Sequence, residues 1–357
     1  MRHRALIGAA LAITATAHPC AAQRALDFTR APERTISTGV TSVSHGIQIA
    51  DGRFVFADMT TPAIIVADFA NDKLVTLGHK GAGPNEYRAP VGAVTDGAGG
   101  AVVPDMALGR ALGVSAAGAL TGTRFSSNDL NGAGLATVRG MNRDGTLFYA
   151  GRPPQGRPDS LLILRGLPAS ATPQTIGYWP MVPVTFGPPV TGADGRVSRS
   201  ILGGSWANRT EWVSLPNETV AIVRPLPFRV DIFHPDGSRI IGQAVDFRPV
   251  LFDDKVKAAY REQRGPIPDG NFPAALPRFE SGDDVIASDR NEVWVQRLRP
   301  PSDQVPVYDI FDGNARYTGT AKLRNASKVV GFGPGVVYVA REAAEDGFWY
   351  LERYRRP

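Results

Sequence analysis

Six charged residues each follow a strongly β-forming run, and these runs recur along the chain. The charged residues are Asp58, Asp105, Arg152, Arg224, Arg297 and Arg341. If the runs are equivalent strands, these side chains share one rim, acidic over the first two units and basic over the other four. Arginine presents a planar fork of donors that suits carboxylate, phosphate or sulfate, so we expect an anion-recognising, ligand-binding mouth. Ion pairing with acids on neighbouring units, or simple exposure to water, is the alternative interpretation.

His45 is a further candidate for ligand binding, because it opens the first apolar run of the first unit. Such a histidine can face a central channel, and a solvated or capping histidine is the simpler alternative. His45, His79 and His234 are the histidines after residue 22, and none has a metal-type partner at short spacing. The sequence therefore predicts no cofactor, with a divalent metal such as calcium kept open.

Other chemistry-bearing residues favour structural interpretations. The carboxylate pairs Asp253-Asp254 and Asp283-Asp284 are typical of a helix cap and of a turn. No Gly-x-Ser-x-Gly elbow occurs, and the single cysteine lies near the start of the chain, so cysteine nucleophiles are excluded and a serine triad is weakly supported. Trp179 and Trp206 flank an insertion, where they form either an aromatic platform for sugars or peptides or part of the core.

The β-forming runs belong to a unit of four apolar segments joined by tight turns. Pairs such as Asp51-Gly52, Asp144-Gly145 and Asp236-Gly237 are strong hairpin signals. The first turns recur about 45 residues apart, stretched to about 70 on either side of the fourth unit. A four-stranded unit cannot bury both faces alone, whereas units stacked around an axis can. The sequence predicts an all-β fold, a six-bladed β-propeller.

The two ends of the chain indicate how the ring closes. The sixth unit supplies only three strands before Pro357, and the segment 34–38 precedes the first unit without a strand partner. We predict that this N-terminal segment is the outer strand of the last blade, which removes two exposed sheet edges.

Two insertions interrupt the repeat on either side of the fourth unit. Between blades 4 and 5, a capping Asp253 or Asp254, an apolar face of Val256, Ala259 and Tyr260, and a terminating Gly265 predict a short helix. The other insertion, about 182–205, is rich in Gly, Pro and Arg. Neither is long enough for a separate domain.

The first 22 residues are predicted to be a signal peptide, with a basic start, an apolar run and small residues before the cleavage site. The mature propeller then spans 23–357, and we expect it to be periplasmic or extracellular. No later segment is apolar enough for a stable membrane anchor. The formal net charge of +5 falls when Arg2 and Arg4 are removed, which argues against a nucleic-acid partner.

One linker carries a family resemblance. Residues 81–87, Gly-Ala-Gly-Pro-Asn-Glu-Tyr, followed by Pro90, resemble the Gly-x-Gly-Pro-x-Glu-Phe/Tyr linker of secreted bacterial six-bladed propellers related in shape to NHL-repeat and TolB-type propellers. The stretch from Asp105 to Arg110 is similar to NHL-type blades, whereas Asn85 stands where the family often has glycine. The resemblance implies a fold and no agreed activity.

Two functional hypotheses follow from the sequence. The first is a non-catalytic module that binds a peptide, glycan or protein partner at the loop-rich mouth of the propeller. The alternative is a metal-dependent hydrolase or lyase with its site in the axial channel, as some six-bladed propellers are. Stoichiometric bound metal would favour the enzyme.

Overall fold

The computed structural model describes residues 23–37, 39–182, 185–191, 197–202, 206–280, 282–343 and 347–357, with 185–191 and 197–202 as backbone only. The predicted signal peptide, 1–22, lies outside the described residues. Within these ranges, no helix combines the length and the apolar character needed to cross a bilayer.

The chain is built mainly from short strands. In chain order the first twelve are β1 (Arg24–Phe28), β2 (Arg34–Ser37), β3 (Ile47–Gln48), β4 (Phe54–Asp58), β5 (Ala63–Asp68), β6 (Lys73–Leu77), β7 (His79–Lys80), β8 (Glu86–Tyr87), β9 (Val94–Thr95), β10 (Ala101–Asp105), β11 (Arg110–Val114) and β12 (Leu120–Ser126). The next ten are β13 (Gly140–Met141), β14 (Leu147–Ala150), β15 (Ser160–Gly166), β16 (Gln174–Pro180), β17 (Thr185–Thr191), β18 (Val197–Leu202), β19 (Glu211–Ser214), β20 (Val220–Pro225), β21 (Phe228–Phe233) and β22 (Arg239–Ile241).

The last strands follow an α-helix, α1 (Asp254–Arg264). They are β23 (Val285–Ala287), β24 (Val293–Gln296), β25 (Val307–Phe311), β26 (Tyr317–Leu323), β27 (Ser327–Gly333), β28 (Val336–Glu342) and β29 (Trp349–Arg355). Short 3-10 turns lie at Ser127–Leu130, Leu135–Thr137, Asp269–Asn271 and Gly282–Asp284.

These strands form the six predicted blades. Blade 1 contains β3–β6, blade 2 β9–β12, blade 3 β13–β16, blade 4 β19–β22, blade 5 β23–β26 and blade 6 β27–β29. The first strands of neighbouring blades touch one another, as β9 touches β13 and β27 touches β3, so the first strands are innermost and line the axis. The all-β, six-bladed β-propeller is confirmed.

Apolar side chains fill the spaces between blades. Six clusters of buried residues each join two adjacent blades, which closes a continuous ring of packing. Trp212 packs between blades 3 and 4, and Trp294 packs between blades 5 and 6. Both side chains are fully buried, and each large side chain buried in this way contributes about 1.5–3 kcal/mol.

The predicted closing strand is present. Strand β2 pairs antiparallel with β29, so that Ile36 lies opposite Leu351 and both are buried in the cluster between blades 6 and 1. Residue 38, at the end of the predicted segment, lies outside the described residues.

A second N-terminal strand was not predicted. Strand β1 adds a fifth strand to blade 5 by pairing in parallel with β26, and it buries Leu26 and Phe28 between blades 5 and 6. Arg24 also donates to Glu292 at 2.7 Å, and Arg356 near the other end of the chain pairs with the same carboxylate. The two ends of the chain therefore meet on one acid.

The helical insertion between blades 4 and 5 forms as expected. The side chain of Asp253 accepts a hydrogen bond from the Val256 amide at 2.8 Å, and Gly265 ends α1 with a φ of 85°. A separate apolar cluster of Trp206, Phe252, Val256, Tyr260 and Leu276 packs beneath the helix. Trp206 is 7% exposed, so it belongs to a core and offers no aromatic platform.

The glycine-rich linker between blades 1 and 2 holds one carboxylate. Glu86 accepts from the Gly83 amide at 2.6 Å and lies 2.8 Å from His79 Nε2. A side chain at Gly81 would collide with the Glu86 carboxylate, so glycine is required by this close approach. The linker motif is thus explained by its own packing.

Candidate functional site

The predicted rim residues follow the second strand of each blade. Because all second strands run in the same direction, their ends share one face of the disc, which we call the mouth face. The first strands are antiparallel to them, as the hydrogen bond from Ser44 N to Ala57 O illustrates, so each first strand begins on the mouth face. Loop residues here therefore surround the opening of the axial channel.

Asp58 and Asp105 are turn caps, so they do not form the expected acidic surface. Asp58 is 2% exposed and accepts from the amides of Thr41, Thr60 and Thr61 at 2.8–3.0 Å. Burial acts to raise the pKa of Asp58, but these hydrogen bonds outweigh it and lower that pKa. Backbone amides thus engage both carboxylates, and a ligand-binding role for them stays a prediction.

Asp105 repeats this arrangement one blade later. It is fully buried and accepts from the amides of Arg88, Ala89 and Ala107 at 2.8–3.1 Å. In both blades a short acidic side chain joins the turn that follows it to the segment that precedes the blade, because amides from both converge on it.

The arginines of blades 4, 5 and 6 are ion-paired with buried acids of their own blades. Arg224 and Arg229 bind Asp231, Arg278 and Arg297 bind Asp309, and Arg324 and Arg341 bind Glu352. The three acids are at most 2% exposed at the side chain, and each is held by two arginines. We call these groups the arginine clamps. Each clamp keeps one positive charge that its own acid does not neutralise.

Arg152, in blade 3, is the exposed member of the predicted set. Its Nε lies 3.4 Å from the Gly132 carbonyl, and no ion pair is found for it within the described ranges. The six rim residues are thus on one face but are not in mutual contact, and their role as ligand-binding groups stays a prediction.

The structure brings together a second set of charges, which we call the channel ring. It contains His45 of blade 1, Arg139 of blade 3, Glu211 of blade 4, Asp283 of blade 5 and Lys328 of blade 6. Each stands at or just before the start of an innermost strand. Charges from blades 3, 5 and 6 act on His45 of blade 1, in agreement with the position of these residues at the starts of strands that line the axis.

Burial dominates the electrostatics of the channel ring. It lowers the pKa of His45, an effect that Lys328 and Arg139 reinforce and Asp283 opposes, so the imidazole is neutral at pH 7. Burial likewise lowers the pKa values of Arg139 and Lys328, against the attraction of nearby acids. His45 also contacts the Asp283 backbone. A ligand-binding role for His45 stays a prediction.

Glu211 is the most perturbed acid of the ring. Its residue is 5% exposed, and burial raises its pKa to about 7 in spite of the cations Arg139 and Arg209. Its Oε2 is buried and lacks a hydrogen-bond partner among the residues that the structure describes. Buried polar groups are usually satisfied, and strongly perturbed acids concentrate at functional sites. Glu211 therefore marks the centre of the candidate site.

The helical insertion stands at the edge of the mouth. Tyr260 of α1 donates to the Arg299 carbonyl at 2.9 Å, just beyond the second strand of blade 5. Leu298 N donates to the Arg278 carbonyl at 2.8 Å, which ties the end of the insertion to the same loop. The insertion therefore braces blade 5 on the mouth face.

No set of three or more His, Cys, Asp or Glu side chains in the described part of the chain is arranged to hold a metal ion. A metal cofactor such as calcium, and the metal-dependent enzyme, remain untested hypotheses.

Sequence reasoning named His45 but missed Arg139, Glu211 and Lys328, and it assigned Asp283 to a turn. The sequence does contain a pattern that could have identified them, because each of these residues lies within two positions of the start of an inner strand. Aligning the starts of the first strands, as was done for the ends of the second strands, would have placed all five at one level.

No family model and no curated protein matches the chain. Solved propeller structures do resemble it. A member of the DUF4221 family from Bacteroides vulgatus has a TM-score of 0.50 at 10% identity, covering 89% of this chain and 95% of its own. A gluconolactonase from Xanthomonas campestris has a TM-score of 0.44 at 11% identity, covering 91% and 88%. At these identities the likeness shows the fold alone, and the narrower NHL/TolB resemblance stays an expectation.

Proposed function

We propose that this propeller is a non-catalytic binding module whose mouth receives a peptide through a carboxylate group. The observation that carries the proposal is the channel ring, in which five blades bring ionisable side chains into a partly dehydrated opening. Blade packing needs only apolar groups, and burying charge without a partner costs free energy, so such a ring is explained by a ligand.

The excess of cations favours an anionic ligand. Each arginine clamp holds two arginines for one acid, so blades 4, 5 and 6 present a positive sector on the mouth face. Lys328 and Arg139 continue this sector into the channel, and Lys328 forms no ion pair within 4 Å in the described ranges. A carboxylate would gain charge-assisted hydrogen bonds there.

Apolar side chains on the same face favour a peptide over a glycan. Met59 and Met106 directly follow the capped aspartates of blades 1 and 2 and are 54% and 41% exposed, and Leu226 in blade 4 is 66% exposed. Methionine adapts to varied apolar partners. Glycans commonly stack on aromatic rings, whereas Trp206 is buried and Trp179 donates its Nε1 proton to Thr210. Export by the predicted signal peptide would place this mouth in the periplasm or outside the cell.

The test compares two pools of N-acetylated tripeptides, one with free C-terminal carboxylates and one with C-terminal amides. Equilibrium dialysis against the purified protein, read by mass spectrometry, should retain the carboxylate pool about tenfold better, since one charge-assisted contact contributes 1.5–3 kcal/mol. Lys328→Gln, which removes one positive charge from the channel ring, should weaken this preference. Lys322→Gln, at an exposed lysine outside the channel, should keep it.

Equal retention of both pools by the wild-type protein would refute the carboxylate proposal. Retention of acidic oligosaccharides in place of peptides would show that the mouth binds a glycan.

A further inference from the structure

We propose that Glu211, Arg139 and the space beside Gly282 form the subsite for the ligand's carboxylate, and that the carboxylate enters together with one proton shared with Glu211. This inference rests on the proposed binding function. It adds which atoms hold the carboxylate and what accompanies it into the channel.

The space beside Gly282 is bounded by one acid and one cation. A Cβ atom placed on Gly282 would lie 3.2 Å from Glu211 Oε2 and 3.6 Å from Arg139 Nη2. Glu211 Oε2 and Arg139 Nη2 thus approach the same point beside Gly282, so one ligand oxygen near that point would meet both groups.

Arg139 is held in place for this role by contacts on its far side. Its Nη1 donates to the Ala136 carbonyl at 2.8 Å, and its guanidinium lies 5.7 Å from the centre of the Trp212 ring. These contacts fix the guanidinium plane and direct Nη2 towards the space beside Gly282. A fixed fork loses little entropy when it binds a carboxylate.

The buried Oε2 of Glu211 supplies the second contact. It has no hydrogen-bond partner among the described residues, and a carboxyl oxygen in this position can either accept or, when protonated, donate. A second carboxylate cannot come within hydrogen-bond distance of an ionised Glu211 unless the two share a proton. The proton therefore resides on Glu211 and is donated to the ligand, while Arg139 donates from the other side.

The surrounding charges are consistent with a protonated Glu211. The groups whose charges act on it or stand across the channel are Arg139, Arg209, Asp283, Asp284, His45 and Lys328. Asp283 and Asp284 raise the pKa of Glu211 further, in the same direction as burial, and the two arginines lower it. Glu211 can therefore take up its proton from solvent near neutral pH when the ligand binds, and the other charged groups keep their protonation states.

Calorimetric titration with N-acetylglycine in two buffers of different ionisation enthalpy measures the proton directly. At about pH 8 the protein should take up close to one proton per carboxylate bound, and affinity should fall up to about tenfold per pH unit above 7. Glu211→Gln should bind without proton uptake and with an affinity that is flat from pH 6 to 8. Glu262→Gln, an exposed change on α1, should behave as wild type.

Gly282→Ala provides a second variant that leaves every charge in place. Its methyl group would lie against Glu211 Oε2 and Arg139 Nη2 and obstruct a carboxylate that approaches them, so affinity for N-acetylglycine should fall at least about tenfold. A denaturation curve measured in parallel shows whether the variant remains folded. Near-wild-type affinity in this variant would overturn the subsite.

The outcomes separate the two proposals. If N-acetylglycine binds without proton uptake, or if Glu211→Gln keeps the pH dependence, the subsite inference fails and the binding function stands. If the carboxylate tripeptides bind but N-acetylglycine does not at about 10 mM, the inference again fails alone. If no carboxylate probe binds at any pH, both proposals fail.

Discussion

On the mouth face, the charged residue at the end of the second strand is accommodated in two different ways. In blades 1 and 2 the residue that ends the second strand is a buried aspartate, which accepts hydrogen bonds from amides of its own turn and of the segment that precedes its blade. In blades 4, 5 and 6 the equivalent position is an arginine, and it reaches to a buried acid held by a second arginine as well. Backbone amides engage the negative charge of each aspartate, whereas the two arginines of each clamp exceed their one acid and leave a net positive charge on one side of the mouth.

This difference shows that equivalent positions in a repeat need not share a role. A carboxylate on a short side chain can accept from the backbone amides around it, both in its own turn and in the segment before its blade. A guanidinium cannot, so it needs an acid from elsewhere in the blade. The charge of a rim residue thus decides whether it belongs to the turn or to the surface that a ligand meets.

The largest expected effect comes from removing the strands that brace the arginine side. Deleting residues 23–40 removes β1 and β2, exposes the partners of Leu26, Phe28 and Ile36, and opens the ring at blades 5 and 6. We expect the free energy of unfolding to fall by more than about 5 kcal/mol, measured by urea denaturation. A truncated chain as stable as the chain that begins at residue 23 would show that these strands do not close the ring.

Replacing one clamp acid by its amide should have the next largest effect. Asp309→Asn keeps the shape but leaves Arg278 and Arg297 facing a neutral group, so we expect a loss of about 3 kcal/mol in the free energy of unfolding. Asp303→Asn, at an exposed acid that faces Arg299 at 3.5 Å, serves as the control and should cost under about 1 kcal/mol. Equal effects at both positions would contradict the clamp.

The pH dependence of the free energy of unfolding tests whether the pKa of Glu211 is raised, unlike the pKa of Asp58 at the rim. The pKa of Glu211 is about 7 in the folded protein and 4.5 in the unfolded chain. The stabilisation that its protonated form provides is therefore complete below pH 4.5 and is lost as the pH rises through 7. Glu211→Gln should therefore gain up to about 3 kcal/mol relative to wild type between pH 4.5 and pH 8. Parallel pH profiles, measured by chemical denaturation, would mean that Glu211 is ionised at neutral pH.

The smallest effect is expected on the aspartate side. Asp58→Asn retains one carboxamide oxygen that can accept from the turn amides, so the loss should be about 1–2 kcal/mol, below that of the same change at Asp309. Asp72→Asn, at an exposed turn residue, is the matched control. A larger loss at Asp58 than at Asp309, in the same denaturation assay, would reverse the comparison between the two sides.

The fold was predictable from the sequence because its signals are local. Asp-Gly turns, β-branched runs and the cap at Asp253 act within a few residues, and their spacing reveals six units. Strand β1 could not be predicted, since Arg24–Phe28 is a single short alternating run and its parallel partner lies almost 300 residues away. The clamps were missed for a similar reason, because nothing in the run before Arg297 indicates that Asp309 will be buried beside it.

The site was only half predictable. The sequence placed His45 at the start of an inner strand, and alignment of the second strands found the rim. It could not reveal that Glu211 lacks a partner or that Gly282 leaves room beside it, because both depend on the distance between blades 4 and 5.

The meeting of both chain ends on Glu292 has a consequence for how the protein is made. Arg24 pairs with an acid that lies 268 residues later in the chain, and the parallel strand that contains Arg24 cannot pair until β26 of blade 5 has formed. The amino-terminal segment therefore emerges first and docks among the last, after nearly all of the polypeptide has been synthesised. Contacts of such long range make folding slow, so the ring closes only after nearly the whole chain is available.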